Sequence, residues 1–280
     1  MTTDSGVRRY YDANTWKFLL SGSERALHRE LWGPGVADRA GAVHHVHALV
    51  LGELAPDDRR VLDLGCGVGT AALYLARRRA VEVIGVSISP EQVRLGQRYA
   101  ERDSGLLGSV RFVVADFTDL PDDLTGFDLA FAIESFVHAT DAAAFFDEAA
   151  RALRPGGALV VVDDVFTEVG AASADPRLDD FRAGWHAPNL LTVETAESMA
   201  AEQGLVLQES RDLSSMQRMG RPRDRLVRAA QPVLRRMRGR SMWADSMVGG
   251  DALQRCHRAG LLEYRLLRFV RREPLLPADD

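Results

Sequence analysis

The 280-residue sequence contains very little cysteine and almost no lysine. Cys66 and Cys256 are too few for a disulfide framework or a structural zinc cluster. Lys17 is the single lysine, so arginine carries nearly all of the positive charge. Met1 to Arg9 lack the apolar core of a signal peptide, and no apolar run approaches the roughly 18 residues of a membrane span. These absences predict a cytoplasmic protein.

A basic excess is absent as well. The formal net charge is -5, and charged residues make up 27% of the chain. Binding to nucleic acid across a whole surface requires a basic footprint, so we expect no nucleic-acid partner and no membrane partner. Hydrophobic residues make up 46% of the chain, which is enough for one large core with smaller appendages. A homo-oligomer remains open.

Short β-branched runs alternate with helical patterns through the middle of the chain. The predicted strands are residues 60–64, 81–86, 110–114, 127–133 and 158–163, followed by two more at 205–212 and 263–271. The predicted helices are residues 71–79, 91–102 and 142–153. This alternation predicts βαβ crossovers and a parallel sheet covered by helices on both faces, which is a doubly wound, Rossmann-like α/β fold.

Three segments lie outside the repeating unit. Residues 1–55 are predicted to be an N-terminal helical cap segment, and residues 56–280 the main domain. That domain carries lid insertions at about 164–192, which is loop-rich, and at about 213–258, which is arginine-rich and mostly helical. Long insertions in a compact domain are usually functional, so we expect one catalytic domain with a helical cap.

A glycine-rich turn follows the first predicted strand, in the order Asp63-Leu-Gly65-Cys-Gly67-Val-Gly69-Thr70. Glycine lets the backbone turn tightly and approach a ligand without a Cβ clash. The dinucleotide-binding fingerprint would place a third glycine where this chain has Thr70. The Asp-x-Gly-x-Gly-x-Gly spacing instead resembles motif I of class I S-adenosylmethionine-dependent methyltransferases. The alternative is a structural turn in another kind of α/β enzyme.

The end of the second strand carries Ser87, where many class I methyltransferases have an acid that holds the ribose hydroxyls. Ser87 with the downstream Gln92 resembles a subgroup that methylates tocopherol, geranyl diphosphate, sarcosine and cyclopropane fatty acids. In that subgroup such residues take over polar contacts with the cofactor. Alternatively, Ser89 and Gln92 only complete a capping box at the start of a helix.

Asp116 and Phe117 follow the third strand. The resemblance implies that the acid accepts a hydrogen bond from the adenine amino group and that the aromatic ring packs on adenine. It implies a seven-stranded methyltransferase sheet and S-adenosylmethionine as the cofactor. The cofactor-binding residues implied are Tyr11, Asp63, Gly65, Gly67, Gly69, Ser87, Gln92, Asp116 and Phe117.

Candidate catalytic residues follow the fourth strand. The segment from Glu134 to His138 resembles Glu-Ser-x-x-His variants of the tocopherol-like and isoprenoid-methylating enzymes. Methyl transfer from a sulfonium requires alignment, exclusion of water and, for some acceptors, a proton acceptor. Glu134 is a candidate to accept a proton or stabilise a cation, and His138 to deprotonate a hydroxyl. The alternative for His138 is a surface or capping role.

The predicted cap is rich in aromatic residues, although only 7% of the chain is aromatic. Aromatic rings suit a flat or unsaturated acceptor and stabilise a cation through their π faces. The candidate acceptor-binding residues are Trp16, Phe166, Trp185 and His186, and packing of the cap is the alternative for about half of the aromatic residues.

The sequence contains two further clusters of basic residues, one of histidines and one of arginines. His44, His45 and His47 lack the cysteine or carboxylate that would complete a metal site, so we predict none. An arginine cluster follows at Arg218, Arg221, Arg223, Arg225, Arg228, Arg235, Arg236, Arg238 and Arg240. Guanidinium forks suit a diphosphate if one face of this cluster points into the site. A solvated helix face or a subunit contact is the alternative.

The favoured function is S-adenosylmethionine-dependent methylation of a small molecule in specialised metabolism, with C-methylation of an isoprenoid chain as the preferred reaction. The first alternative is O-methylation of a phenol or sugar hydroxyl by a histidine base. The second is a non-methylating cyclase that retains the cofactor.

Overall fold

The computed structural model describes residues 28–273. Tyr11, Trp16 and the first half of the predicted N-terminal cap segment lie outside the described residues. Within them, no helix is long and apolar enough to cross a membrane.

The described chain alternates strands and helices as the sequence predicts. The strands are β1 (Arg60–Leu64), β2 (Glu82–Ser87), β3 (Ser109–Val114), β4 (Phe127–Ile133), β5 (Leu153–Phe166), β6 (Leu205–Asp212) and β7 (Leu262–Arg271). The helices are α1 (Arg39–Gly52), α2 (Thr70–Ala76), α3 (Pro90–Glu101), α4 (Ala142–Ala152), α5 (Glu168–Ala171), α6 (Pro176–Trp185), α7 (Val193–Glu202), α8 (Pro222–Arg236) and α9 (Met242–Arg258). Short 3-10 turns occur at Phe136–His138 and Ser214–Met216.

The strands form one seven-stranded sheet in the order β3-β2-β1-β4-β5-β7-β6. Strands β1 to β5 are parallel, and β7 runs antiparallel to both β5 and β6. The strand order reverses between β1 and β4, and in such a sheet the ligand crevice lies at the carboxyl ends beside the reversal. The predicted doubly wound α/β fold is confirmed.

The strands are apolar because helices cover both faces of the sheet. On one face, Leu62 and Leu64 of β1 pack in a cluster with Phe145 and Phe146 of α4. On the other face, Val61 packs in a second cluster that includes most of α2. Burial on both faces fixes the positions of the strand ends, and therefore of the side chains that follow them.

Residues 153–157, which separate the predicted helix at 142–153 from the predicted strand at 158–163, belong to β5. Leu153 already pairs with Phe127, and the pairing resumes only at Ala158 with Leu129, so the intervening residues form a bulge inside β5. Gly156 provides the positive φ of 75° within that bulge. The Pro-Gly-Gly sequence, which is typical of turns, here shifts the register of a strand instead of preceding it.

The insertion at 164–192 is more regular than predicted. Strand β5 continues to Phe166, and α5 and α6 occupy much of the remainder. Pro176, which indicates a loop in the sequence, is the first residue of α6, where Asp175 accepts a hydrogen bond from the Arg177 N–H as the N-cap. Proline at this position removes only an N–H that has no partner within the helix. The insertion at 213–258 is mostly helical, as predicted.

Helices α6 and α9 form the cap and approach each other closely through glycine. A Cβ built on Gly184 would lie 2.4 Å from the Asp245 carbonyl oxygen and 2.7 Å from the Gly249 Cα. These are backbone atoms, which cannot give way without moving the helices apart. The neighbouring Gly250 is different, because its Cβ would meet only the Trp185 ring, at 3.8 Å.

We expect Gly184→Ala to lower the free energy of unfolding by about 1–3 kcal/mol, the usual range for overpacking. Gly250→Ala is the matched control in the same interface, and its better helix propensity should leave stability unchanged or raise it by roughly 0.5–1 kcal/mol. Urea unfolding followed by circular dichroism measures both. Equal stability of the two variants would contradict the close α6–α9 contact.

Candidate functional site

A cavity of about 300 Å³ lies at the carboxyl ends of the central strands, within the size range of small-molecule sites. The predicted residues that line it are Asp63, Gly65, Gly67, Ser87, Gln92, Asp116, Phe117, Glu134, His138 and Trp185. Gly69, Phe166 and His186 do not line the described part of its wall. The topology therefore brings most of the predicted site residues to one place.

The glycine turn after β1 forms the floor of the cavity. The Gly65 and Cys66 N–H groups donate to the Val86 carbonyl oxygen at 3.1 and 2.9 Å, which ties the turn to β2. Gly65 has φ 89°, and a Cβ there would lie 2.5 Å from the Cβ of Ser135. Gly69 starts α2 with φ 84° and lies against the Phe112 ring. Its contribution is to the turn, not to the cavity wall.

Asp63 lies beside this turn with a buried carboxyl group. Its Oδ2 atom has no hydrogen-bond partner among the described residues, and burial raises the pKa of the carboxyl well above its ordinary value. A buried carboxyl oxygen without a donor is costly, and an ammonium group would supply the missing donor. Asp63 lines the cavity and therefore fits the amino group of a methionine moiety.

Ser87 and Gln92 are held together at the start of α3. The Ser89 hydroxyl caps α3 by accepting from the Gln92 N–H at 3.2 Å. The Ser87 hydroxyl donates to the Gln92 side-chain oxygen at 2.8 Å, and the Ser89 N–H donates back to Ser87 at 3.1 Å. Capping therefore fixes the two polar side chains at the cavity wall, where they fit ribose hydroxyls.

Asp116 and Phe117 form the wall beyond β3. The Asp116 Oδ1 atom accepts from the N–H and the hydroxyl of Thr118, at 2.8 and 2.7 Å, which orients the carboxylate. The Phe117 ring meets the Phe145 ring edge to face, with centroids 5.5 Å apart. A fixed acceptor beside an anchored aromatic ring suits a purine that carries an amino group.

Glu134 ends β4 with an unusual backbone. Its φ of 49° lies in the left-handed region, which non-glycine residues adopt only where the surroundings hold them. Its Oε1 atom accepts from the Arg29 backbone N–H at 2.9 Å, from Arg29 Nε at 3.1 Å and from the Tyr264 hydroxyl at 2.9 Å. Three donors on one oxygen stabilise this carboxylate as an anion.

Arg29 joins Glu134 to the end of β5. Its guanidinium binds both oxygens of Asp164, at 3.1 and 2.7 Å, and its Cζ lies 4.2 Å from the centre of the Tyr264 ring. His257 contacts Asp164 from the other side at 2.8 Å. Burial alone would raise the pKa of Asp164, but Arg29 and His257 outweigh it and hold the pKa below its ordinary value.

This network was not predicted from the sequence. Asp163 and Asp164 are adjacent acids in an otherwise apolar strand, which is a signal that the sequence did contain. Asp163 is buried and accepts from the Val137 N–H at 3.0 Å, which positions the segment after β4. Arg29 and Tyr264 are far from Glu134 in the sequence, and no local pattern links them.

His138 follows Glu134 on a 3-10 turn. Its Nδ1 atom lies 2.9 Å from the His186 carbonyl oxygen, and a carbonyl can only accept, so Nδ1 carries the hydrogen. Burial lowers the pKa of the imidazole, so the ring is neutral at pH 7 and its lone pair is on Nε2. His186 contributes this carbonyl from a left-handed residue with φ 51° at the end of α6.

Trp185 and Met247 form the cap side of the cavity. The Trp185 indole N–H donates to the Ser246 carbonyl oxygen at 3.2 Å, which fixes the ring against α9. Phe166 lies elsewhere, in the cluster that joins α6 to α9, with the Arg182 guanidinium 5.5 Å from its ring centre. Phe166 therefore packs the cap, which is the alternative considered for these aromatic residues.

The described histidines near α1 form a hydrogen-bonded series. The Nε2 atoms of His28 and His47 lie 2.7 Å apart, and the Nδ1 atoms of His47 and His44 lie 3.0 Å apart. Because His47 uses opposite nitrogens, these contacts do not converge on one point. Among the described residues, no group of three or more metal-ligating side chains is arranged to hold a metal ion.

The arginine cluster is largely used within the cap. Arg221 pairs with Glu30, Arg228 with Asp251, and Arg235 and Arg238 both with Asp180. Arg218 lies over the Trp32 ring, with its Cζ 3.4 Å from the centroid. None of the arginines in this cluster lines the described part of the cavity.

The family model and the curated relatives that the chain matches are all described as methyltransferases. A family model described as "Methyltransferase domain" matches residues 61–157. An O-methyltransferase of Aspergillus nomiae is 37% identical over 42% of this chain and 51% of its own length. The methyltransferase GfsG of Streptomyces halstedii is 35% identical over 57% of each chain, and a sterol 24-C-methyltransferase of Neurospora crassa is 32% identical over 58% of this chain and 42% of its own length. The chain thus spans about half the length of these curated relatives.

Two solved structures share the fold over nearly the whole chain. The [4+2]-cyclase SpnF aligns with a TM-score of 0.75 and 24% identity, over 98% of this chain and 97% of its own. A geranyl diphosphate methyltransferase, solved with GPP and sinefungin, aligns with a TM-score of 0.74 and 20% identity, over 96% and 99% of the two chains. The region that matches the methyltransferase-domain model thus contains the glycine turn and the polar side chains at the three strand ends.

Proposed function

We propose that the protein transfers a methyl group from S-adenosylmethionine to a carbon atom of an unsaturated, isoprenoid-type chain. The observation that carries this proposal is the pairing of a fixed anion with a neutral base in one cavity. Glu134 is held as an anion by three donors, and His138 is a neutral imidazole oriented by the His186 carbonyl. Methylation of an alkene needs both kinds of group.

The residues around the glycine turn would hold the cofactor, which supplies a methyl group activated by a sulfonium. Asp63 accepts from its amino group, and Ser87 with Gln92 contacts the ribose. Asp116 accepts from the adenine amino group beside the Phe117 ring. All five line the cavity, and the orphan Oδ2 atom of Asp63 supports this placement. Tyr11, outside the described residues, stays a predicted cofactor contact.

The acceptor would lie between Glu134, His138 and Trp185. The alkene π electrons would form the new carbon–carbon bond to the methyl group while its bond to sulfur breaks. The sulfur would keep that electron pair as a neutral thioether, and a carbocation would remain on the acceptor. The Glu134 carboxylate and the Trp185 ring stabilise that cation. His138 then takes the departing proton on Nε2, which restores the double bond.

An apolar acceptor fits this cavity better than a diphosphate. Its wall includes apolar side chains of Ile133, Val137 and Met247. Arg29 is the arginine in the described part of the wall, and Glu134 and Asp164 already pair with its guanidinium. The arginine cluster pairs with acids of the cap or lies outside the wall, so it does not support a prenyl diphosphate.

O-methylation of a phenol or sugar hydroxyl is the second candidate, and the orientation of His138 favours it. A neutral imidazole whose Nδ1–H is fixed by a carbonyl is the arrangement that a general base requires. This reaction does not need the anion at Glu134, which makes the two candidates distinguishable.

We expect Glu134→Gln to lower kcat for an alkene acceptor by about 100-fold, the usual effect of removing one electrostatic stabiliser. The affinity for S-adenosylmethionine should stay unchanged, because Glu134 is assigned to the acceptor. Turnover with methyl-labelled cofactor against alkene and phenol acceptors measures the first quantity, and calorimetry the second. Glu148→Gln is the control, since Glu148 also accepts a backbone N–H and an arginine but does not line the cavity.

Full turnover of an alkene by Glu134→Gln would remove Glu134 from the mechanism. Retained turnover of a phenol, with loss only in His138→Gln, would establish the O-methyltransferase instead. Product formed without label would indicate the cyclase.

Asp63→Asn tests the cofactor site, because this substitution should raise the stability of the cofactor-free protein and lower its affinity for the cofactor. Burial raises the pKa of Asp63, so between its ordinary pKa of about 3.9 and the higher folded value, folding takes up a proton and stability falls as pH rises. Asn removes that loss, so the cofactor-free variant should be more stable than wild type at pH 7, by about 1–3 kcal/mol. Its affinity for S-adenosylmethionine should fall about tenfold or more.

Asp128→Asn is the control of opposite sign. Burial would raise the pKa of Asp128, but Arg154 and the Arg59 and Arg60 N–H groups outweigh it and lower the pKa. That variant should be less stable at pH 7 and bind the cofactor normally. Urea unfolding and calorimetry measure both effects, and normal affinity in Asp63→Asn would exclude the proposed contact.

A further inference from the structure

Among residues 28–273, the buried contacts of α8 lie on one side of the helix. Leu234 and Val227 pack with Ala244 and Val248 of α9. On the same side, Arg228 pairs with Asp251 at 3.0 Å. These contacts hold the helix in one orientation and determine which side chains face away from the protein.

The opposite side of α8 carries exposed apolar residues. Leu226, Ala230, Val233 and Met237 recur every three or four positions and therefore lie along one line of the helix surface. Leu226 is 72% exposed, Val233 58% and Met237 41%. Trp243, at the start of α9, is 55% exposed. We call these five residues the apolar stripe.

Arginines border the apolar stripe. Helical spacing places Arg223 along one edge, and Arg225 and Arg236 along the other, and all three are exposed. Residues 222–240 contain seven arginines and a single acid. That acid, Asp224, accepts from the Arg221 N–H and so belongs to the start of the helix. Three of these arginines, Arg228, Arg235 and Arg238, pair with acids outside this segment, so the other four supply the local positive charge. The stripe therefore combines apolar surface with local positive charge.

We propose that the apolar stripe docks on an anionic lipid surface. A helix with an apolar face, basic borders and interfacial aromatic residues lies in the plane of a bilayer interface. Arginine forks bind lipid phosphates, and apolar side chains enter the boundary of the acyl chains. Such docking is peripheral and differs from our sequence-based expectation of no membrane partner.

The charge pattern favours this occupant over a second copy of the chain. A two-fold interface would place the same patch against itself and bring arginines face to face. A protein partner needs a complementary shape, whereas α8 protrudes with most of its residues exposed. A fluid anionic surface attracts the arginines and can adapt to the shape of the protruding helix.

One residue of the apolar stripe also lies close to the wall of the cavity. Trp243 and Met247 lie one turn apart on α9, and Met247 lines the cavity. If the proposed function holds, an apolar acceptor dissolved in the bilayer has a short path to the site. The docking itself depends only on the apolar stripe and its arginines.

Vesicle flotation of the full-length, cofactor-free chain tests the docking without any turnover. We expect binding to vesicles of phosphatidylglycerol and phosphatidylcholine, little binding to phosphatidylcholine alone, and weaker binding at high salt. The double variant Leu226→Ser, Val233→Ser should bind about tenfold less. Because both side chains are exposed, its Tm and its affinity for S-adenosylmethionine should match wild type.

Leu107→Ser is the matched control, since Leu107 is 66% exposed far from α8 in the sequence. It should bind like wild type. Absence of vesicle binding, or equal loss in the control, would overturn the proposal. Concentration-dependent dimers in sedimentation that the double variant abolishes would also overturn it. Binding to soluble polyglutamate as strong as the binding to anionic vesicles would do the same. All of these readouts are independent of the acceptor.

Discussion

The ion pairs of Arg29 are the interaction on which the described site depends. Its guanidinium reaches Glu134 at the end of β4 and Asp164 in β5, so a segment before α1 is fastened to two central strands. Burial alone would lower the pKa of Arg29, but the two carboxylates outweigh it and raise the pKa well above its ordinary value. A buried charge of this kind is tolerated only with its partners, and removal of any one would leave the others uncompensated.

Local patterns in the sequence were sufficient for the sheet and for the residues at the ends of β1, β2 and β3 that line the cavity. The strands are continuous apolar runs, and the glycine turn, Ser87 and Asp116 each follow a strand directly. Parallel strands bring their carboxyl ends to the same edge of the sheet, so the residues that directly follow these strands lie close together in the structure. The start of β5 could not be predicted in this way, because its Pro-Gly-Gly sequence produces a change of register that only the pairing with β4 reveals.

The other half of the site could not be predicted because its contacts are non-local. Tyr264 reaches Glu134 from the antiparallel strand β7, and the His186 carbonyl fixes the ring of His138 from the cap. The fold itself is shared by proteins of different activity, including a cyclase and a geranyl diphosphate methyltransferase. Function therefore depends on the groups at the strand ends and in the cap, and not on the fold alone.

The histidine series shows how far one backbone atom determines a site. The Arg29 carbonyl oxygen can only accept, so His28 carries its hydrogen on Nδ1 and presents a lone pair at Nε2. His47 must then donate from Nε2 and accept at Nδ1, which makes His44 the next donor. One carbonyl thus selects the tautomers of three rings. Acid that protonates His28 or His47 would replace an accepting lone pair with a hydrogen, so the wall beside Arg29 is the part of the cavity that acidification would loosen.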